Sequence, residues 1–414
     1  MRILQVNKFN YQKGGSEKYF LELSEALEQQ GHEVAKFSMQ NPLNFKDKNE
    51  KYFVSQVDFN QGSFYDKIRA AFRLFWSFEA AKKFDQLLLD FQPEVVHIHN
   101  IYHQLSPSIL LKAKKRRIPV IMHLHDYKLL CPNMKMYNQG GVCEQCKGGR
   151  YFNCTLKRCL KESYLKSLLA SLEMYFHHAI LKIYERVITT YIAPSMFVLK
   201  KAIEWGVEQD KIVHLPYFIK TVDYEPQYEP GDYLLFYGRL VKEKGVKTLL
   251  LAYQTLGHKV PNLKIVGAGP EYKELEQQIK ELGLASKVVM TGPKYGETLK
   301  QLVANCYAII VPSEWYEVTG IVNMEASILG KPVLAANIGG IGEVVKNKET
   351  GLLFKSGSVK SLSEALGLLL SDEALARQFG EAGHEYIVKN YNKKNHLSKI
   401  VSVYKNAIQA EKNK

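Results

Sequence analysis

The chain predicts an α/β protein built from two doubly wound parallel sheets, on three observations. Short buried apolar runs, such as Arg2 to Val6, Pro93 to His99 and Tyr233 to Tyr237, alternate along the whole chain with stretches of helical spacing. Several runs end on a glycine turn that opens the next helix, as at Gly14-Gly15, Gly238 and Gly267-Ala268-Gly269. A stretch of linker composition, Phe218 to Asp232 with Pro226 and Pro230, parts the alternation into two halves. The 414 residues suffice for two or three ordinary domains. Hydrophobic residues at 46% and charged residues at 24% suit a folded chain and exclude a disordered one.

No apolar run approaches the ~20 residues needed to span a bilayer. The first residues, MRILQVNKF, enter a strand pattern without signal-peptide layout, so a cytoplasmic protein is expected. The net charge is +14; residues 1–215 hold 31 Lys+Arg against 21 Asp+Glu, and residues 216–414 hold 25 against 21. A basic first half suits a polyanion or an anionic membrane surface. Its densest cluster is Lys112, Lys114, Lys115, Arg116 and Arg117, which a solvated helix end explains equally well.

In order, Arg2 to Val6 is the first strand, and Gly14-Gly15 opens a helix over Lys18 to Gln30. Asp66 to Leu89 reads as one helix, facing either the core or an anionic interface. Pro93 to His99 and Val120 to His125 are strands; His97 and His99 share a face, as do His123 and His125. All four lie near carboxyl ends of strands, where open α/β sheets bind ligands.

Five of the six cysteines follow between Cys131 and Cys159. Cys143-x2-Cys146 and Cys154-x4-Cys159 offer four thiolates to a structural zinc; free, partly buried thiols are the competing reading. A catalytic zinc is not expected, because four cysteines leave no open position. Lys161 to Val187 reads as one or two helices leading into a strand at Tyr191 to Ala193.

In the second half Gly238 ends a strand, and Arg239 and Lys244 share the loop to the next helix. A guanidinium fork and a point charge there suit a diphosphate. Gly267-x-Gly269 lacks the acidic partner of a dinucleotide site. After a strand at Tyr307 to Val311 comes a loop with Glu314, Trp315, Tyr316 and Glu317, then helical spacing over Gly320 to Leu329. The backbone N–H groups of Val318, Thr319 and Gly320 stand at that helix start, a seat for phosphate or sugar hydroxyls, with Glu317 before it and Glu325 within the helix as acceptors.

These motifs resemble those of the retaining glycosyltransferases of the two-domain GT-B type, family 4 in particular. The carriers are Glu317-x7-Glu325 with Ala326 and Gly330-Lys331-Pro332, Gly238-Arg239-x4-Lys244-Gly245, the Gly14-Gly15 loop, His125-Asp126, and Gly339-Gly340-Ile341-Gly342-Glu343. The resemblance implies two Rossmann-like domains facing a central cleft: 1–217 on the acceptor side with the Cys-rich insertion 131–159, 218–390 for the donor, and a helix over 391–414 returning to the first. It further implies that Arg239, Lys244, Gly14 and Gly15 seat the diphosphate. Glu317 and the Val318–Gly320 amides would hold the sugar, Glu325 the ribose hydroxyls, and His125 would lie beside the sugar.

The expected activity is retaining transfer of a sugar from a nucleoside-diphosphate sugar to an acceptor hydroxyl. The setting would be polysaccharide or glycolipid assembly, with the protein peripheral to the inner membrane face. No Asp-x-Asp occurs, so no cofactor is expected for catalysis, and Lys and Arg take a divalent ion's place. The alternatives are a nucleotide-sugar epimerase of the same architecture, a phosphorylase or sucrose-type synthase, and a basic nucleic-acid binder. The last lacks any aromatic-basic stacking motif.

Overall fold

The computed structural model describes residues 1–56, 72–257 and 260–413. The chain divides into two compact units: Met1–Lys135, Glu144–Tyr217 and Lys394–Lys414 form one, Met136–Cys143 and Phe218–Lys393 the other.

The first unit carries β1 (Arg2–Val6), β2 (Glu33–Phe37), β3 (Val95–Ile98) and β4 (Val120–His123). A small antiparallel hairpin follows, β5 (Tyr137–Asn138) with β6 (Gly141–Val142), in the segment assigned to the second unit. The first unit continues with β7 (Ile188–Ala193) and β8 (Ile212–His214). The sheet order is β2-β1-β3-β4-β7-β8, every neighbour parallel. Strands covered on both faces read as near-continuous apolar runs, which is why Ile3, Leu4, Val96, Ile121 and Ile192 are all fully buried. The helix Lys393–Lys412 belongs almost entirely to this unit. Its Tyr404 hydroxyl lies 2.8 Å from His97 Nδ1 and 3.2 Å from Gln5 Nε2, at the centre of the sheet.

The second unit has β9 (Tyr233–Tyr237), β10 (Asn262–Val266), β11 (Val288–Gly292), β12 (Ala308–Val311), β13 (Val333–Ala336) and β14 (Gly351–Phe354). Their order is β11-β10-β9-β12-β13-β14, again all parallel. The chain starts in the middle, winds out to β11, then returns to lay β12 on the other side of β9. Loops leaving β9 and β12 therefore diverge from adjacent strands, the place where doubly wound sheets open a ligand crevice. Leu234, Phe236, Leu249, Ile265, Ile310 and Leu334 form part of the core beneath it.

Three expectations need correction. The run Asp66 to Leu89 is not one helix: residues 66–71 lie outside the described part, and beyond Trp76 a new helix, Phe78–Phe91, begins. Ser77 caps it, accepting from the Ala80 amide at 3.2 Å. Arg73, just before that helix, is buried, bonding to the Ser55 carbonyl at 2.9 Å and pairing with Glu79. The strand expected to reach His125 stops at His123, because the chain turns at Asp126, whose carboxylate accepts the Lys128 amide at 2.8 Å. Lys161 to Val187 holds two helices, as one expected alternative had it, Tyr164–Met174 and Ile183–Val187 around a π-helical turn, but the strand after them starts at Ile188 rather than Tyr191. Among the described residues no helix is long and apolar enough to cross a membrane.

Candidate active site

The loops after β9 and β12 bring together a cation and a carboxylate. Lys244 Nζ lies 2.5 Å from Glu317 Oε1, with both side chains largely buried. The same carboxylate oxygen accepts the Ser313 hydroxyl at 2.7 Å. Burial pushes the Glu317 carboxyl up, but the Lys244 charge and the hydrogen bonds from Lys244 and Ser313 outweigh it. Glu317 is thus held below the ordinary carboxylate range and is ionised at neutral pH. The face of the Trp315 ring also meets Lys244, whose Nζ is 5.6 Å from its centroid. Arg239, the other cation of this loop, is exposed.

Two glycines let these loops meet. Gly245 has φ +66°, and a Cβ there would stand 1.9 Å from the Pro312 carbonyl oxygen, so no side chain fits between the Lys244 turn and the end of β12. At Gly339, φ +62°, a Cβ would stand 2.3 Å from the Glu317 carbonyl oxygen, and the next amide, Gly340, donates to that carbonyl at 2.7 Å. The β13 turn thus fixes the Glu317 backbone while Lys244 and Ser313 fix its side chain.

Beyond Glu317 the helix Ile321–Ile328 begins, shorter than expected by a residue at each end, with Gly320 as its N-cap at φ +81°. Val318, Thr319 and Gly320 occupy the turn leading into it. One helical face carries Glu325, whose Oε2 accepts the Tyr237 hydroxyl at 3.1 Å. Tyr237 is the last residue of β9, so the carboxyl end of that strand supports Glu325 while its loop supplies Arg239 and Lys244.

In the first unit Gly14 is the N-cap of the helix Gly15–Gln29, and its carbonyl accepts the Lys18 amide at 3.0 Å. Asn7 Oδ1 accepts the Asn100 amide at 3.1 Å, and Asn100 Nδ2 donates to Ser16 Oγ at 3.2 Å. That relay joins the ends of β1 and β3 to the glycine turn. His125 has both ring nitrogens engaged: Nε2 lies 2.7 Å from His99 Nδ1, and Nδ1 lies 2.7 Å from the Tyr217 hydroxyl. Burial lowers it to about 3, so the imidazole is neutral.

Residues 13–222 match the family described as Glycosyltransferase Family 4, and residues 223–386 match Glycosyl transferases group 1. The chain belongs to glycosyltransferase family 4. It is 27% identical over 358 residues to an uncharacterized 42.6 kDa protein in the cps region of Klebsiella pneumoniae, covering 83% of this chain and 87% of that one. It is 22% identical over 413 residues to the N-acetyl-alpha-D-glucosaminyl L-malate synthase of Bacillus anthracis, covering 97% and 96%. Among solved structures, Anabaena HepE in complex with UDP-glucose superposes with a TM-score of 0.68 at 18% identity, covering 98% of this chain and 100% of that one. The GT-B fold and glycosyltransferase activity follow from membership.

In this glycosyltransferase three of the four candidate zinc cysteines lie together in the first unit. Cys146 and Cys154 are buried together with Tyr151 and Met174, and Cys159 packs against them. A hydrogen bond to Cys154, with burial, raises the Cys159 thiol above its ordinary value. Cys143 is half-buried and belongs to the 136–143 segment of the second unit. The donor chemistry suits zinc. Three supporting residues escaped the sequence reading: Ser313, Tyr237 and Tyr217. Ser313 and Tyr237 were detectable as the polar residues nearest the carboxyl ends of β12 and β9.

Proposed function

We propose that this glycosyltransferase transfers a sugar from a nucleoside-diphosphate sugar to an acceptor hydroxyl with retention of anomeric configuration. The observation that carries the reading is the Lys244–Glu317 contact at the β9/β12 switch point, with Arg239 exposed on the same loop. A diphosphate needs cations and a sugar needs anionic acceptors; both are present on two adjoining loops. When donor arrives, Lys244 exchanges the Glu317 carboxylate for a phosphate oxygen. Glu317 is then free to accept from sugar hydroxyls.

Negative charge builds on the leaving diphosphate as the glycosidic bond breaks, and Arg239 with Lys244 stabilises it. Gly14 and Gly15 give backbone access to the phosphates, the Val318–Gly320 turn contacts the sugar, and Glu325 takes the ribose hydroxyls. Neutral His125 serves as a hydrogen-bonding wall beside the sugar rather than as a cation. These two basic side chains perform the charge neutralisation that a divalent ion performs elsewhere, so turnover is expected to survive EDTA. The UDP-glucose held by Anabaena HepE supports a nucleotide-sugar donor. The similarity to a protein of a cps region and the basic first half support polysaccharide or glycolipid assembly on a lipid-linked acceptor at an anionic membrane surface. A structural zinc on Cys143, Cys146, Cys154 and Cys159 belongs to the same proposal.

A thermal-shift panel of nucleoside diphosphates and their sugars, with EDTA present, tests the donor reading. One base is expected to stabilise the chain; ligand at 100 times its dissociation constant contributes about 2.7 kcal/mol. No shift from any nucleotide, with the protein folded, would overturn it. Product anomeric configuration, read by proton NMR coupling, tests retention. Binding to anionic vesicles at low salt tests the membrane surface.

A further inference from the structure

The first unit holds a histidine cluster that sugar transfer does not use. His97, His99 and His123 are completely buried, and one ring nitrogen from each lies within 4.8 Å of the other two. They come from adjacent strands: β3 ends at Ile98 with His99 next, and β4 ends at His123. Strand alternation sets all three on one face, with His125 stacked 4.4 Å from His123.

Their hydrogen bonds are incomplete. His123 has no partner at either ring nitrogen, and His97 has none at Nε2. A buried polar group without a partner is destabilising, and an apolar side chain would avoid that cost. Such orphans point to a bound species.

One set of tautomers leaves a lone pair on each ring. Gln5 Nε2 donates to the Tyr404 hydroxyl, so Gln5 Oε1 faces His99 Nε2 at 2.8 Å and that nitrogen must carry the proton. His99 Nδ1 is then a lone pair, now accepting from His125 Nε2. His97 Nδ1 lies 2.8 Å from the Tyr404 hydroxyl; with the ring proton on Nδ1 and donated to that oxygen, the partnerless Nε2 is a lone pair. Imidazoles anchored on the far nitrogen by a carboxamide or hydroxyl have the arrangement that orients metal-ligating histidines.

We infer that His97 Nε2, His99 Nδ1 and one ring nitrogen of His123 form a seat for a single late first-row divalent cation, zinc by preference. Ligand bonds of ~2.0–2.1 Å require the rings to draw together by on the order of an ångström. The complete burial makes the site structural: it ties β3 to β4, and it takes the His99 lone pair away from His125. It depends on neither the donor assignment nor the cysteines.

The test uses the full chain, free of any histidine tag, produced with Co2+ in place of Zn2+. The expected result is visible tetrahedral Co2+ absorption from nitrogen ligands, lost in both His123→Phe and His97→Phe, with X-ray absorption of the wild type showing imidazole scattering. Cobalt on the cysteines would instead carry thiolate charge-transfer bands in the near ultraviolet, untouched by these variants. Wild-type protein without cobalt, or with cobalt showing thiolate bands only, overturns the inference whether or not the variants fold. So does a nitrogen-type band that persists in both folded variants.

Discussion

Lys244 and Glu317, 73 positions apart, meet with Nζ 2.5 Å from Oε1 in the second unit. Removing one member leaves the other charge buried, so Lys244→Met and Glu317→Gln are each expected to destabilise that unit by about 3–5 kcal/mol. Lys244→Met with Glu317→Gln, which removes both charges, is expected to recover most of it. Urea unfolding of the two singles and the double gives the coupling directly. If the singles simply add, the pair does not interact.

A second ion pair lets the sign of a pH effect be worked out. Burial pushes Glu173 up, but the Lys128 charge and the His177 hydrogen bond bring it down to about 2. Its folded value lies below the unfolded one of about 4.3. Its contribution is therefore fully present above the unfolded value and is lost as pH falls from there toward 2. The melting-temperature gap between wild type and Glu173→Gln should be constant at neutral pH and close below pH 4. A gap independent of pH would contradict the ionised assignment.

Glycines separate by environment. Gly245→Ala faces both the left-handed penalty of about 1–2 kcal/mol and the Pro312 carbonyl 1.9 Å away, and should cost more than the penalty alone. Gly367, inside the helix Val359–Leu370 with nothing within 4 Å of a new Cβ, is the converse case. Gly367→Ala should stabilise by about 0.5–1 kcal/mol. Chemical denaturation of both variants decides.

Tyr237→Phe removes the hydroxyl that bonds Glu325 Oε2 and the Val322 carbonyl, each at 3.1 Å. The single hydroxyl proton is shared between these two acceptors, so about 0.5–1.5 kcal/mol of stability should go with it. Because Glu325 is the proposed ribose partner, KM for donor should rise more than kcat falls. An unchanged KM would separate Glu325 from the nucleotide.

Both doubly wound sheets were legible because strand and helix periods alternate cleanly, and the loop residues Arg239, Lys244 and Glu317 were legible as motifs. The Lys244–Glu317 contact was not. Nothing local to Lys244 indicates that β12 returns beside β9; that is set by strand order. The break at Trp76–Ser77 was hidden because the apolar spacing runs through it, while the Ser77 cap was the signal that should have counted. Single histidines on strands read as ordinary core. Only the register of β3 against β4 gathers His97, His99 and His123.

The most direct measurement is nucleoside-diphosphate release from a panel of nucleotide sugars, in EDTA, by wild type and by Arg239→Ala and Lys244→Met. Turnover of one donor by the wild type, with a loss of at least about a hundredfold in each folded variant, is the expected result. Undiminished release by folded Lys244→Met would contradict the assignment of the diphosphate to the β9 loop.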